Sequence, residues 1–227
     1  MKVVSIKIEK LMIVFYLLII GVGLFVSISY ETVETFSMPV SSKVVLIDAG
    51  HGGVDTGKIA EDGTNEKDIN LAIALRLQQF LEQGGSQVIL TRAEDEALGD
   101  TKSRDMQGRR ALANEEKADI LISIHQNAYS DERAQGAIVF YYEGSDNSQR
   151  LALYIQEELK SFLEPASKHA ARSNDTYFIL RRTSIPAVIV ECGFLTNYNE
   201  RNRLKTEEYQ DKVAWAIYQG VVRYFNE

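Results

Sequence analysis

From residue 43 onward, short apolar runs alternate with longer stretches in which apolar residues return at helical spacing. Val44 to Ile47 is an unbroken run rich in β-branched residues, the pattern of a strand buried on both faces of a parallel sheet. Glu66 to Gln83 follows with Ile69, Ile73, Leu77, Phe80 and Leu81 on one helical face. Asn65 is placed to cap that helix, and Gly84-Gly85 to stop it. Gln87 to Thr91 reads as a second strand. A charged loop, Ala93 to Ser103, leads into a helix carrying Met106, Arg109, Leu112 and Ala113. Asp119 to Ile124 reads as the third strand and Ala137 to Tyr142 as the fourth. The chain between them is too short for a crossover helix, so that pair is expected to be antiparallel. Leu151, Tyr154, Ile155, Leu159 and Phe162 mark another helix. Tyr177 to Leu180 and Ala187 to Val190 read as two more strands. Tyr209, Val213, Ala216, Ile217, Gly220 and Tyr224 form the face of a last helix. The alternation predicts one α/β domain, a mixed and mainly parallel sheet of about six strands with helices on both faces.

The amino terminus breaks this pattern. Leu11 to Tyr30 contains no charged residue, and about 20 apolar residues suffice to cross a bilayer as a helix. Lys2, Lys7 and Lys10 precede the run, while Glu31 and Glu34 follow it. This asymmetry keeps the amino terminus in the cytoplasm and exports the rest. Residues 1–30 are thus expected to be a membrane anchor or, with Ser27 and Ser29 forming a small-x-small site, a cleaved signal. Residues 31–42 read as a polar linker and 43–227 as the exported domain.

Composition narrows the chemistry. The net charge of −7 argues against nucleic acid and anionic lipid surfaces as main partners. A single cysteine, Cys192, excludes an internal disulfide and a cysteine-based zinc cluster. Any histidine-rich site must draw on His51, His125 and His169. His51 follows the first strand on the glycine turn Asp48-Ala49-Gly50-His51-Gly52-Gly53, His125 follows the third, and Glu191 the last. Glu66 opens the helix after the first strand. In parallel sheets these places share one rim, where ligands bind. Two imidazoles and a carboxylate are a common catalytic zinc set with a fourth position left for water, suited to amide or ester hydrolysis. Spacing alone does not tell which glutamate is the ligand. Asp48 is a candidate to orient His51, Asn127 and Arg181 to meet substrate. His169 lies in a basic stretch and reads as surface. Cys192 reads as packed into the sheet, against the alternative of a nucleophile.

The motifs Asp-Ala-Gly-His-Gly-Gly at 48–53, Glu-Lys-Asp at 66–68, Thr91-Arg92, Arg109 with Ala113-Asn114, Ser-Ile-His-Gln-Asn at 123–127 and Pro-Ala-Val-Ile-Val-Glu-Cys-Gly-Phe-Leu-Thr-Asn at 186–197 occur in order. Together they resemble the zinc-dependent N-acetylmuramoyl-L-alanine amidases of bacterial cell walls, which usually have proline where this chain has Ala49. The resemblance implies peptidoglycan as substrate, one Zn²⁺ on His51, Glu66 and His125, and Glu191 as catalytic acid/base. The compact layout is similar to the sporulation amidases, implying removal of stem peptides on the way to muramic-δ-lactam in spore cortex. A general wall-remodelling amidase shares that layout. A glycoside hydrolase using Glu66 and Glu191 and a wall-binding protein without catalysis are the competing readings. The sequence names no activating protein partner.

Overall fold

The computed structural model describes residues 8–29, 38–164 and 166–227. They fall into two units, an amino-terminal helix α1 (Ile8–Ser29) and a compact domain that begins at Met38. Among the described residues, no helix is long and apolar enough to cross a membrane. Of the stretch read as linker, residues 31–37 lie outside the described residues. Val40, within the same stretch, is fully buried, and its carbonyl accepts a hydrogen bond from Ser86 Oγ at 2.8 Å.

The domain runs β1 (Val44–Ala49), α2 (Glu66–Gln83), β2 (Gln87–Leu90), α3 (Lys102–Glu115), β3 (Ile120–Asn127), β4 (Ile138–Tyr141), α4 (Asp146–Leu163), β5 (Arg172–Ser173), α5 (Phe178–Arg182), β6 (Ala187–Phe194), α6 (Tyr198–Leu204) and α7 (Glu207–Asn226). One six-stranded sheet has the order β2-β1-β3-β6-β4-β5. Strands β2, β1, β3 and β6 are mutually parallel, and β4 runs antiparallel to β6. The mixed α/β architecture is therefore the expected one, but β4 does not pair with β3. Both edges of β3 are already occupied, by β1 and β6, so β4 takes the free edge of β6.

Side chains alternate across the strands. Ile120, Ile122 and Ile124 of β3 pack with Ile69, Ile73 and Leu77 of α2, Ile155 of α4 and Ile217 of α7. Leu121 faces the other layer, with Ala113 of α3 and Ile179 and Leu180 of α5. Each fully buried Leu or Ile contributes ~1.5–3 kcal/mol, so the two layers clamp the central strands and hold their carboxyl ends in register. The helix α2 has the bounds its apolar spacing predicts. Asn65 does occupy its N-cap position, but makes no capping bond and donates to Asp68 instead.

Three elements differ from the sequence reading, one of them the two-residue strand β5 at Arg172–Ser173, which the apolar spacing does not assign. Tyr177 to Leu180 is not a strand: Phe178–Arg182 forms the short helix α5. Asn174 Oδ1 accepts from the backbone N–H groups of Thr176 and Tyr177, a local turn that starts the helix. Residues Tyr198–Leu204, not assigned from apolar spacing, form α6 with Asn197 accepting from the N–H groups of Asn199 and Glu200. Asn197 with Glu200 three positions on is the readable signal of that helix start.

Candidate metal centre and active site

The rim at the carboxyl ends of β1, β3 and β6 gathers the polar residues. His125 and Glu191 lie inside the last turns of their strands rather than beyond them, and the register pairs them directly across β3 and β6. Paired positions in parallel strands share a face, so the two side chains sit side by side. The backbone after β1 then turns sharply. Gly50 N–H donates to the Ile124 carbonyl at 3.0 Å, tying this turn to β3. A Cβ on Gly50 would stand 2.3 Å from the His125 ring, so only glycine lets that imidazole lie against the turn. His51 itself adopts φ of 62°, the left-handed region that non-glycine residues enter only at a cost.

Two arginines hold the strained turn. Arg92 Nε donates to the Ala49 carbonyl at 2.9 Å and its Nη2 to the Gly50 carbonyl at 3.2 Å. Arg109 donates to the Ala49 carbonyl at 2.8 Å and to the His51 carbonyl at 2.7 Å. Asp48 is the counter-ion behind them. It accepts from Arg109 Nη1 and Ser123 Oγ at 2.5 Å each, and from Thr91 Oγ1 at 3.0 Å. Burial pushes its carboxyl up, but the Arg109 charge and the hydrogen bonds more than offset this and hold it low. Asp48 thus acts on the turn through Arg109 and is not the partner of the His51 ring. That place belongs to Asp55, whose Oδ2 is 3.0 Å from His51 Nδ1. Asp55 is four residues past His51, within reach once the glycine turn folds back, as the Gly52–Asp55 bridge shows.

Glu66, at the first turn of α2, meets both imidazoles. Its Oε1 is 2.9 Å from His125 Nδ1, and its Oε2 3.3 Å from His51 Nε2. The ring centroids of the two histidines are 4.9 Å apart. One atom from each of His51, Glu66 and His125 lies within 4.8 Å of the other two, a set that could hold a metal ion. Burial pushes the Glu66 carboxyl up, but the two histidines hold it far below the carboxylate range. Burial pushes the His51 imidazole down, and Glu66 and Asp55 more than reverse this. The donor set fits zinc: two imidazoles and an ionised carboxylate converge from three separate elements.

Glu191 is 7 % exposed, and its Oε2 has no hydrogen-bond partner among the described residues. Burial pushes its carboxyl up to about 7. Tyr177 stands beside it, its hydroxyl pushed up to about 12 by burial and the Glu191 charge. The groups open into a cavity of about 320 Å³ that Lys102, Met106, Tyr177, Phe178 and Gln126 also line. A carboxyl near neutrality can both take and give a proton.

Two of the residues read as substrate contacts lie elsewhere. Asn127 Oδ1 accepts from its neighbour Ala128, and Arg181 is exposed with Nη1 donating to the Asp175 carbonyl. Neither lines the cavity. Tyr177 and Lys102, which do, were hidden because they stand at the starts of α5 and α3, which only packing brings to this rim. His169 bonds the Gln135 carbonyl away from the site. Cys192 is fully buried and its thiol is pushed up by burial, the packed residue the sequence suggested.

The chain resembles known proteins over almost all of this domain. The family model for N-acetylmuramoyl-L-alanine amidase matches residues 45–223. The germination-specific N-acetylmuramoyl-L-alanine amidase of Bacillus subtilis is 37% identical over 202 residues, covering 86% of this chain and 84% of that protein. Escherichia coli amidase AmiA is 29% identical, covering 81% and 76%. The structure of the CwlD amidase from Clostridioides difficile, solved in complex with the GerS lipoprotein, superposes with a TM-score of 0.79 at 37% identity, over 82% of this chain and 99% of that one. With the motif residues gathered on one rim and a family match across the whole sheet, the chain belongs to the N-acetylmuramoyl-L-alanine amidases, enzymes that act on peptidoglycan.

Proposed function

We propose that this amidase is zinc-dependent, with His51, Glu66 and His125 as ligands and Glu191 as the acid/base, and that it strips stem peptides from muramic acid in spore cortex. The observation that carries the chemistry is the convergence of three ligand atoms within 4.8 Å, with the Glu191 carboxyl register-paired to His125. When bound, zinc supplies a Lewis acid that lowers the pKa of water and polarises a carbonyl. Glu191 takes the proton of the water that attacks the amide carbonyl and delivers it to the alanine nitrogen as the C–N bond breaks. Without that proton the nitrogen would leave as an anion. The half-buried Tyr177 and the buried Ile189 wall Glu191 off from bulk water. Arg109 and Arg92 keep the His51 turn preorganised throughout.

The cortex role rests on the 37% identity with the germination-specific amidase and with CwlD. Muropeptides from spores of a strain lacking the protein should lose muramic-δ-lactam and gain intact stem peptides by mass spectrometry. Unchanged spore muropeptides with altered vegetative ones would move the protein to general wall remodelling. New reducing ends without free peptide amines would instead mark a glycosidase.

Peptidoglycan lies outside the cytoplasm, so the domain must be exported. We assign that task to residues 1–30, read as an anchor or a cleaved signal from the uncharged run at Leu11 to Tyr30 and the three lysines before it. A reporter fused after Glu227 should be active only outside the cytoplasm. A cytoplasmic carboxyl terminus would remove the substrate from reach.

A further inference from the structure

The charged loop between β2 and α3 packs against the glycine turn that carries His51. A Cβ on Gly52 would stand 2.1 Å from the Glu96 carbonyl oxygen, and one on Gly53 3.3 Å from the Ala97 nitrogen. One ion pair grips both polar groups of Gly53. Lys67 Nζ donates to the Gly53 carbonyl at 2.8 Å and to Asp95 Oδ2 at 2.6 Å. Asp95 Oδ1 accepts from the Gly53 N–H at 2.9 Å. Gly53 follows His51 by two residues and Lys67 follows Glu66 by one. The pair therefore joins the segments that carry two of the proposed ligands.

The far end of the loop closes a circuit. Leu98 N–H donates to Asp105 Oδ1 at 2.8 Å, and Asp105 Oδ2 accepts from Arg109 Nε at 2.7 Å. Arg109 in turn holds the His51 carbonyl. Lys67 also ties its own backbone into the site: its N–H donates to the Thr56 carbonyl at 3.2 Å and its carbonyl accepts from Arg92 Nη2 at 2.8 Å. The Lys67 side chain is 11% exposed and that of Asp95 52%. A lysine so buried is rare, and an ion pair open to water on one side adds little to stability. What the ammonium supplies that an apolar side chain of its size lacks is direction: two hydrogen bonds at fixed places.

We infer that Lys67 and Asp95 are positioning residues for the metal centre: they fix the His51 turn against the first turn of α2 and so set metal affinity from outside the ligand set. The inference rests on the zinc reading above. Affinity depends on ligands being held near their bound spacing before the ion arrives. His51 Nε2 and Glu66 Oε2 stand 3.3 Å apart, on segments that the chain links only through residues 52–65. Arg92 and Arg109 hold the carbonyls of residues 49 to 51. The Lys67–Asp95 pair holds the turn on its other side, just after His51. Loosening Gly53 would leave that side free and let the spacing to Glu66 vary.

The test measures Zn²⁺ affinity of the full chain by competition with a chromophoric chelator. Asp95→Ala removes an exposed side chain and should weaken zinc binding roughly 10- to 100-fold, the scale for losing a group that orients a ligand. Asp95→Asn keeps an oxygen that can accept from Gly53 and should recover part of that loss. Lys67→Met should weaken binding as Asp95→Ala does, and Asp95→Ala carries the test alone if that variant misfolds. With Co²⁺ bound at saturation in place of zinc, the visible absorption bands should shift in Asp95→Ala, because they report ligand geometry. A purely structural role would leave them unmoved. Wild-type zinc affinity in Asp95→Ala, or a loss that Asp95→Asn shares in full with cobalt bands unshifted, would overturn the inference. Hydrogen exchange at the Gly53 amide of the metal-free protein reads the brace without the metal. Slow exchange in wild type that Asp95→Ala accelerates, in a protein that binds neither Zn²⁺ nor Co²⁺, would keep the brace and refute the metal reading instead. Equal exchange in both proteins would refute the brace.

Discussion

Glu191→Gln is expected to keep its zinc and lose kcat by about 10²- to 10⁴-fold, the range for removing a general acid/base. The amide side chain preserves the shape of a buried residue whose Oε2 has no partner among the described residues, so the β3–β6 pairing and the proposed metal ligands have no cause to move. What it removes is the proposed proton carrier. A side chain that cannot ionise neither accepts a proton from the attacking water nor returns one to the departing nitrogen. His125→Ala should behave in the opposite order, losing metal and activity together, because it deletes one of the converging atoms. Glu66→Gln should weaken metal binding, and His169→Ala should change neither. Metal content by plasma mass spectrometry, measured alongside turnover of muramoyl peptides, separates these cases. Full zinc occupancy in His125→Ala would sink the ligand assignment. Metal loss in Glu191→Gln with retention in Glu66→Gln would exchange the roles of the two glutamates.

Arg109→Met should cost about 3–5 kcal/mol of folding stability, the penalty for stripping the partner from a buried charge. Arg109 and Asp48 are each 2% exposed, and the substitution leaves Asp48 with only the Thr91 and Ser123 hydroxyls. It also frees the His51 carbonyl, which Arg109 holds at 2.7 Å, and leaves the Ala49 carbonyl to Arg92 alone. The sign with pH is testable. In the wild type the Asp48 carboxyl is held low, so its contribution is present at neutral pH and is lost as pH falls through the folded value. Without Arg109, burial is opposed only by the Ser123 and Thr91 hydroxyls and the neighbouring His125, and is expected to raise the folded value above the unfolded one. The variant then gains stability as pH falls through that raised value, and the gap to wild type narrows. Urea unfolding at neutral pH and near pH 5 measures both numbers. A penalty under about 1 kcal/mol, or a gap that widens on acidification, would show that Asp48 does not depend on Arg109.

Both predictions draw on contacts of very different sequence range, and that range separates what could be read in advance from what could not. Local period suffices for the elements: the apolar face of Glu66–Gln83 and the β-branched run at Val44 mark α2 and β1 where they stand. It fails at Tyr177 to Leu180, because four apolar residues carry no period that separates a strand from one turn of helix. The rim position of His51, Glu66, His125 and Glu191 was legible because strand ends in a parallel sheet share a side, whatever the order of the strands. Their roles followed from motif resemblance and remain to be tested by the variants above. By itself, then, the sequence determined the α/β class, the amidase motifs and the rim on which they meet. The tertiary structure decided who touches whom: Asp48 with Arg109, 61 positions away, in place of His51; Asp55 behind the His51 ring; β4 on β6 instead of β3; and Tyr177, not Asn127 or Arg181, at the cavity. The reason is physical. Backbone preference and amphipathic period act over a few residues and leave their mark in the order of the chain. Hydrogen-bond partners of buried charges are chosen by which elements pack together, and that choice belongs to the whole fold.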